Sequence, residues 1–361
     1  MTAQIRRRTP RALLLTVLLM LALLLTAGHA KAVSGAVSER TALCLDTLIP
    51  SLYGCMLIGN LLQSSGCGAW LGERLPLLPR LLRLPRSAAG IFLISQLAGY
   101  PVGVMLLRRS AENGTLTRQQ AAKLVPVCFG GGPAFLVGLT GARLFGSAAA
   151  GWVMLGSCVM SNLLLARCCA GGAAPAASAA PVRCALSAEM LTDAADAAVR
   201  ALAQICGTVL LFGVLTALAE QTGLSSLPLF LLGRSGIPRQ TARALLHTLT
   251  DVSLLPELFS CGLPFHILLP LTAGLLSFGG FCVHTQCMAA GGGLVSLHRL
   301  FGLRLCAALL TAAITAAAVP WIPLPDTAAV LSVQTAISAT RSPIPALLIF
   351  FTGFPFLLKK D

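Results

Sequence analysis

Charge is what this sequence has least of. Asp, Glu, Lys and Arg make up 11% of its 361 residues, about half the share of an ordinary soluble domain. No stretch is long and polar enough to stand as a separate soluble domain. Catalytic signatures are missing too: there is no H-E-x-x-H, G-x-S-x-G, P-loop or paired-carboxylate pattern. The run Gly130-Gly131-Gly132-Pro133 is not a phosphate loop, because no G-K-[ST] follows it, and Ser51 and His29 join no constellation. These absences point away from an enzyme and from a resident cofactor. Thirteen cysteines are present, but none in C-x-x-C spacing, so neither a metal site nor a disulfide framework is expected. Most of them, Cys44, Cys158 and Cys206 for example, lie inside apolar runs, where a free thiol behaves as a small hydrophobe.

What the sequence does have is hydrophobic length. It is 56% hydrophobic with a mean hydropathy of +0.84. Apolar runs recur at the roughly 17–25 residues needed to span a bilayer, so the expected class is an all-α, polytopic membrane protein. The net charge of +14 comes from 26 Lys and Arg against 12 Asp and Glu. The basic residues cluster in short loops at the ends of apolar runs. There they act as positive-inside topology signals and contacts to anionic lipid headgroups, not as a nucleic-acid surface.

Taken in order, Arg6, Arg7, Arg8 and Arg11 precede an apolar run from Ala12 to Ala27. Gly28 and Ala30 suit a signal-peptide cleavage site, while the many later spans favour an uncleaved first span. On either reading the start is cytoplasmic. A second run, Thr41 to Leu62, carries Asp46, Pro50 and Asn60 and leads to a loop with Arg74, Arg80, Arg83 and Arg86, which belongs in the cytoplasm. The next run, Ser87 to Leu107, is broken by Gly99, Pro101 and Gly103. A simple crossing would place Arg108, Arg109, Arg118 and Lys123 outside, so a re-entrant hairpin turning at Gly99-Tyr100-Pro101 is expected. Thr117-Arg118-Gln119-Gln120 reads as a capping box opening a helix. That helix runs into Pro126 and a second break, Gly130 to Pro133, before a span from about Leu144 to Ala166.

Gly171 to Pro181 is a low-complexity linker. Thr192 with Asp193 and Asp196 reads as the next helix start, and Asp196 with Arg200 as an i,i+4 pair. That helix is expected to span as far as about Ala219. The second half repeats the first in outline. A loop with Arg234, Arg239 and Arg243 leads to Ala244–Phe259, broken by Asp251, Pro256 and Glu257; His266–Gln286 is broken by Gly279 and Gly280. A basic loop with His298, Arg299 and Arg304 precedes a span to Ala318, and a last run, Pro345 to Leu358, ends in Lys359-Lys360. Interrupted helices at matching positions of two halves are a transporter-like signature. The loop at Arg234–Arg243 resists this scheme, since counting spans puts it outside.

The candidate site residues follow from the breaks. Asp251 is a carboxylate in an otherwise apolar run, with His247 one turn earlier; an ionisable group at such depth points to ion or proton coupling or a polar substrate contact. The plainer reading is an interfacial cap or a pair with His247, and Glu257 reads as interfacial. His284 and Gln286, just past Gly279-Gly280, fit a cavity wall or an interhelical hydrogen bond. Gly99, Tyr100 and Pro101, with Gly132 and Pro133, would supply backbone donors and carbonyls, or close packing of small residues. The expected ligand is a small polar solute or an ion.

AGYPVGVMLLRRSAENGTLTRQQAAKLVPVCFGGGPAFLVGLTGARLFGS resembles the first half of the YlbJ-type sporulation integral membrane proteins, which carry the nucleoside-recognition or Gate domain. In the second half, TLTDVS is similar to that family's LLEITNG turn and SFGGFCVHTQC to its SFGGLSVxxQ turn. The likeness covers roughly Thr41 to Thr311. GYPVG…GGGPAF also resembles, more distantly, the Gate segments of ferrous-iron transporters. The sequence departs from the family at the second-half turn, where Asp251 replaces Glu and Ser253-Leu254 stand in place of Asn-Gly. The resemblance implies two Gate-like repeats with broken or re-entrant helices. On that division residues 1–40 are a signal-anchor or first span and 41–170 the first repeat. Residues 171–187 are the linker, 188–320 the second repeat and 321–361 a C-terminal span. It further implies a bacterial inner-membrane protein of spore formers with cytoplasmic termini, and as partners its own copies or other sporulation membrane proteins. A non-transporting role in spore coat or cortex assembly is the alternative.

Overall fold

The computed structural model describes residues 2–75, 78–79, 86–169 and 184–322. Most of the linker and the expected last run, Pro345–Leu358, lie outside the described residues. Every element among the described residues is helical, as the hydropathy demands, because a helix satisfies its own backbone in lipid. Five helices among them are long and apolar enough to cross a membrane: Ala30–Ser64, Ala148–Cys168, Ala188–Gln221, Phe265–Gly291 and Leu297–Trp321. The chain is a membrane protein.

The first helix, α1 (Thr2–Gly28), leaves its leucines exposed, the pattern of a helix surrounded by lipid. The expected second span begins earlier than its apolar run: α2 (Ala30–Leu43) continues through a π-turn at Cys44–Leu48 into α3 (Ile49–Ser64). After α4 (Cys67–Arg74), α5 (Arg86–Ala98) and α6 (Val102–Glu112) meet at Gly99-Tyr100-Pro101. They fold back on each other. A Cβ on Gly103 would stand 2.6 Å from Ser95 Cβ and 2.5 Å from the Cys128 carbonyl oxygen, so only glycine lets the two arms and the next break come together. The Thr117 capping box opens α7 (Arg118–Leu124) with both reciprocal bonds formed. After the second break come the π-helical α8 (Ala134–Leu144) and α9 (Ala148–Cys169).

The second half also contains interrupted helices. The long α10 (Ala188–Gln221) is followed by the short α11 (Ser226–Arg234), then α12 (Arg239–Thr250), which stops at Asp251 and resumes as α13 (Pro256–Phe259). Then α14 (Phe265–Phe278) and α15 (Gly280–Gly291) meet at Gly279, and α16 (Leu297–Ala318) completes the half. One start differs from expectation. α10 opens at Ser187, whose hydroxyl accepts from the Met190 amide, while Thr192 lies inside the helix and bonds back to the Glu189 carbonyl. Ser187 takes the cap because it is extended and precedes the first helical turn; the Asp196–Arg200 pair is formed. The two halves pack together, α3 and α2 against α10, α9 against α16, and α6 against α15.

Candidate functional site

Breaking a helix in an apolar interior frees carbonyls that water cannot reach, so each needs a protein donor. Between α7 and α8 four of these carbonyls find one. The Pro126 carbonyl accepts from Arg304 Nη1 at 2.8 Å, Val127 from Gln96 Nε2 at 3.2 Å, Phe129 from Asn162 Nδ2 at 2.8 Å and Gly130 from the Tyr100 amide at 2.7 Å. The four donors come from α16, α5, α9 and the hairpin tip. The broken stretches of the first half therefore touch, and Gly99-Tyr100 lies against Gly130-Gly131.

Arg304 is the hub of this network, and sequence reading passed over it as a loop-flanking basic residue. It is fully buried and also donates to the Ser277 carbonyl, the Ser277 hydroxyl and Asn162 Oδ1. Its guanidinium stands 4.6 Å from the Phe129 ring centre. Among the described residues it pairs with no carboxylate. Its charge is held by carbonyl dipoles, by the negative end of α14 where Ser277 sits, and by an aromatic face. Asn162 extends the chain of bonds to Gln96 Oε1 at 2.9 Å. The only early signals were the spacing of Arg304 seven residues into an apolar span and the polar Gln96 and Asn162 in similar runs.

The other buried charge has a partner. Asp251, 1% exposed, accepts from Arg40 Nη1 at 3.2 Å and, through its other oxygen, from the Ser253 amide at 3.0 Å; Arg40 also reaches Ser253 Oγ at 3.2 Å. Arg40 crosses to α12 over Gly213 of α10, where a Cβ would come within 2.8 Å of Arg40 Cγ. The pairing of Asp251 with His247 is thus not found. His247 instead bridges two other carboxylates, Nδ1 to Glu257 at 2.7 Å and Nε2 to Glu220 at 3.0 Å. Arg40 was not legible as the partner because 211 residues separate the two.

Two cavities lie on either side of the Arg40–Asp251 pair. One is an open vestibule of about 700 Å³ that carries Lys31, Glu39, Arg40, Glu220, Arg243, His247 and Glu257 on its walls. The other is an inner cavity of about 40 Å³ between the halves. Leu48, Leu52, Tyr100, Gly131 and Phe135 of the first half line it, with Ile205, Asp251, Ser253, Cys282 and Gln286 among those of the second. Of the expected site residues, Tyr100, Asp251 and Gln286 therefore meet at one small cavity, and His247 faces the vestibule. Gly99, Pro101, Gly132 and Pro133 do not line it. His284 lies off the cavity: its Nδ1–H donates to the Gly280 carbonyl at 2.7 Å and its ring packs among Phe129, Phe278 and Phe301.

The His247 bridge makes the vestibule sensitive to pH. Burial works against the imidazolium, but the hydrogen bond and charge of Glu257, with the charge of Glu220, outweigh it and Arg243's opposing charge, so His247 titrates above its ordinary value. A group whose folded pKa is raised stabilises the fold below its unfolded pKa, about 6.5, and loses that contribution as pH rises through the folded value. Thermal melting of the wild type and His247→Gln should therefore differ most at about pH 6 and converge toward about pH 9. A gap that stays constant or widens with pH would contradict this. No protein-family model, curated protein or solved structure matches the chain.

Proposed function

We propose that this membrane protein binds and moves a small polar solute or ion through the cavity between its halves, with Arg40–Asp251 as the barrier. One observation carries the reading: a buried ion pair joins an open polar vestibule, lined by Arg40, to a small inner cavity lined by Asp251 and by residues of the breaks. Two residues from α2 and the α12 break can part by side-chain motion alone, with no refolding of the scaffold. With the start of the chain in the cytoplasm, the vestibule, built from the beginning of α2 and the end of α10, faces outside. Arg243, which counting placed on that side against the charge rule, is neutralised there by Glu220 at 2.8 Å. The reading is one of passage, not of catalysis. The resemblance to the YlbJ-type Gate proteins adds a bacterial inner membrane and sporulation to the proposal.

Cys282 tests it, because its thiol lines the inner cavity. With the other cysteines replaced, a charged methanethiosulfonate applied from the vestibule side should leave Cys282 unmodified in the wild type. It should modify Cys282 at least about tenfold faster in Arg40→Gln, since removing one partner of a buried pair favours states in which the barrier is open. Equal protection in both, with the variant folded, would leave the competing reading. That reading is a non-transporting component of spore coat or cortex assembly, and the protein-bonded carbonyls of the broken stretch favour it. It predicts a co-purifying membrane partner.

A further inference from the structure

We infer that the inner cavity, with Asp251 on its wall, is a site for a monovalent alkali cation, and that Arg40 is a tethered cation that neutralises Asp251 from the vestibule side in the closed state. The inference rests on the barrier reading above and names what the barrier responds to. It begins from a constraint on Asp251. When Arg40 withdraws, a carboxylate 1% exposed loses its only charged partner. An uncompensated charge so deep is costly, so opening requires another cation in Arg40's place. An anion drawn to Arg40 would leave that cost in full, which excludes anionic cargo from this step.

The remaining walls supply what such a cation needs. The Tyr100 hydroxyl is buried at the cavity with no hydrogen-bond partner, an orphan that a native interior rarely tolerates without a ligand or water. Gln286 spends its amide nitrogen on Cys282 Sγ at 3.4 Å, which leaves its carbonyl oxygen free of protein partners. Ser253 contributes the hydroxyl already turned to Arg40. Asp251, Ser253, Tyr100 and Gln286 thus bring one negative charge and neutral polar groups to the wall of one cavity. Oxygen donors suit hard cations, and one carboxylate balances one charge. No cluster of three or more His, Cys, Asp or Glu suited to a metal exists among the described residues, which argues against a divalent or transition metal. A volume of about 40 Å³ admits a water-sized species and no larger organic cation.

The test uses the full chain in detergent, with thermal unfolding read against NaCl or KCl and choline chloride as the inert control at equal ionic strength. In Arg40→Gln, sodium or potassium should stabilise at about tenfold lower concentration than in the wild type, because the tethered competitor is gone. Tyr100→Phe in that background should weaken the effect several-fold, and Arg40→Gln with Asp251→Asn should abolish it. Should Arg40→Gln fail to fold, Arg40→Lys, a shorter cation with a poorer fit, should give an intermediate concentration. The same response in all variants, or a response to pH alone, would overturn the cation site. Cys282 modification separates the two ideas: accessible Cys282 with no cation response sinks the site and leaves the barrier standing, whereas protected Cys282 in the folded variant sinks both.

Discussion

Arg304→Met should destabilise the full chain by on the order of 5 kcal/mol, the largest effect expected of any single substitution here. The substitution keeps an apolar stem of similar length in the site, so little of the loss is cavity. What it removes is the donor set for the Pro126 carbonyl, the Ser277 carbonyl and hydroxyl, and Asn162 Oδ1. Each acceptor left buried and unpaired costs about 1–3 kcal/mol, and none can reach water. Arg304→Lys should not rescue it, because one ammonium cannot span acceptors on three elements as a planar five-donor fork does. Thermal unfolding in detergent would report the loss as a fall in Tm of many degrees. Asn162→Ala should be strongly non-additive with Arg304→Met, since the two share a bond. A fall of only a degree or two in Tm would mean that the carbonyls find other donors.

The second large effect is at Arg40 and Asp251. Either single change to an uncharged residue leaves a buried charge without its partner and should cost about 3–5 kcal/mol. Replacing both, Arg40→Met with Asp251→Leu, should recover most of that loss or exceed wild-type stability, because the desolvation of two charges is removed along with their attraction. The pair is therefore better explained by what it does than by what it stabilises. Unfolding midpoints of the two single variants and the double variant decide it. A double variant as unstable as the sum of the singles would show that the pair's neighbours, not its charges, hold this region.

Much of the architecture was readable in the residues, and the limits have physical causes. The apolar runs, the breaks at Gly99–Pro101, Gly130–Pro133, Asp251 and Gly279, and the Thr117 capping box all follow from local rules, since hydropathy, backbone donors and capping act within a few residues. The convergence of Tyr100, Asp251 and Gln286 depends on how the two halves meet, which no local rule carries. Arg40 carries no local sign of its partner, and only its descent over Gly213 to Asp251 shows its place. Arg304 misleads for the same reason. A charge near the end of a span is ordinarily a topology signal, and here it is buried because it joins acceptors of both halves, Pro126 and Asn162 of the first and Ser277 of the second. His284 errs the opposite way: it follows a break, yet its ring turns into an aromatic cluster instead of the cavity.

The Arg304 network also sets an order of assembly. During synthesis the first half enters the bilayer before α16 exists, so the Pro126 carbonyl must wait for a donor that is translated about 180 residues later, a delay long on the scale of residues added per second. Until then the first half is an unfinished object that cannot close on itself. The network therefore belongs to neither half alone, and it completes only when both are in the membrane.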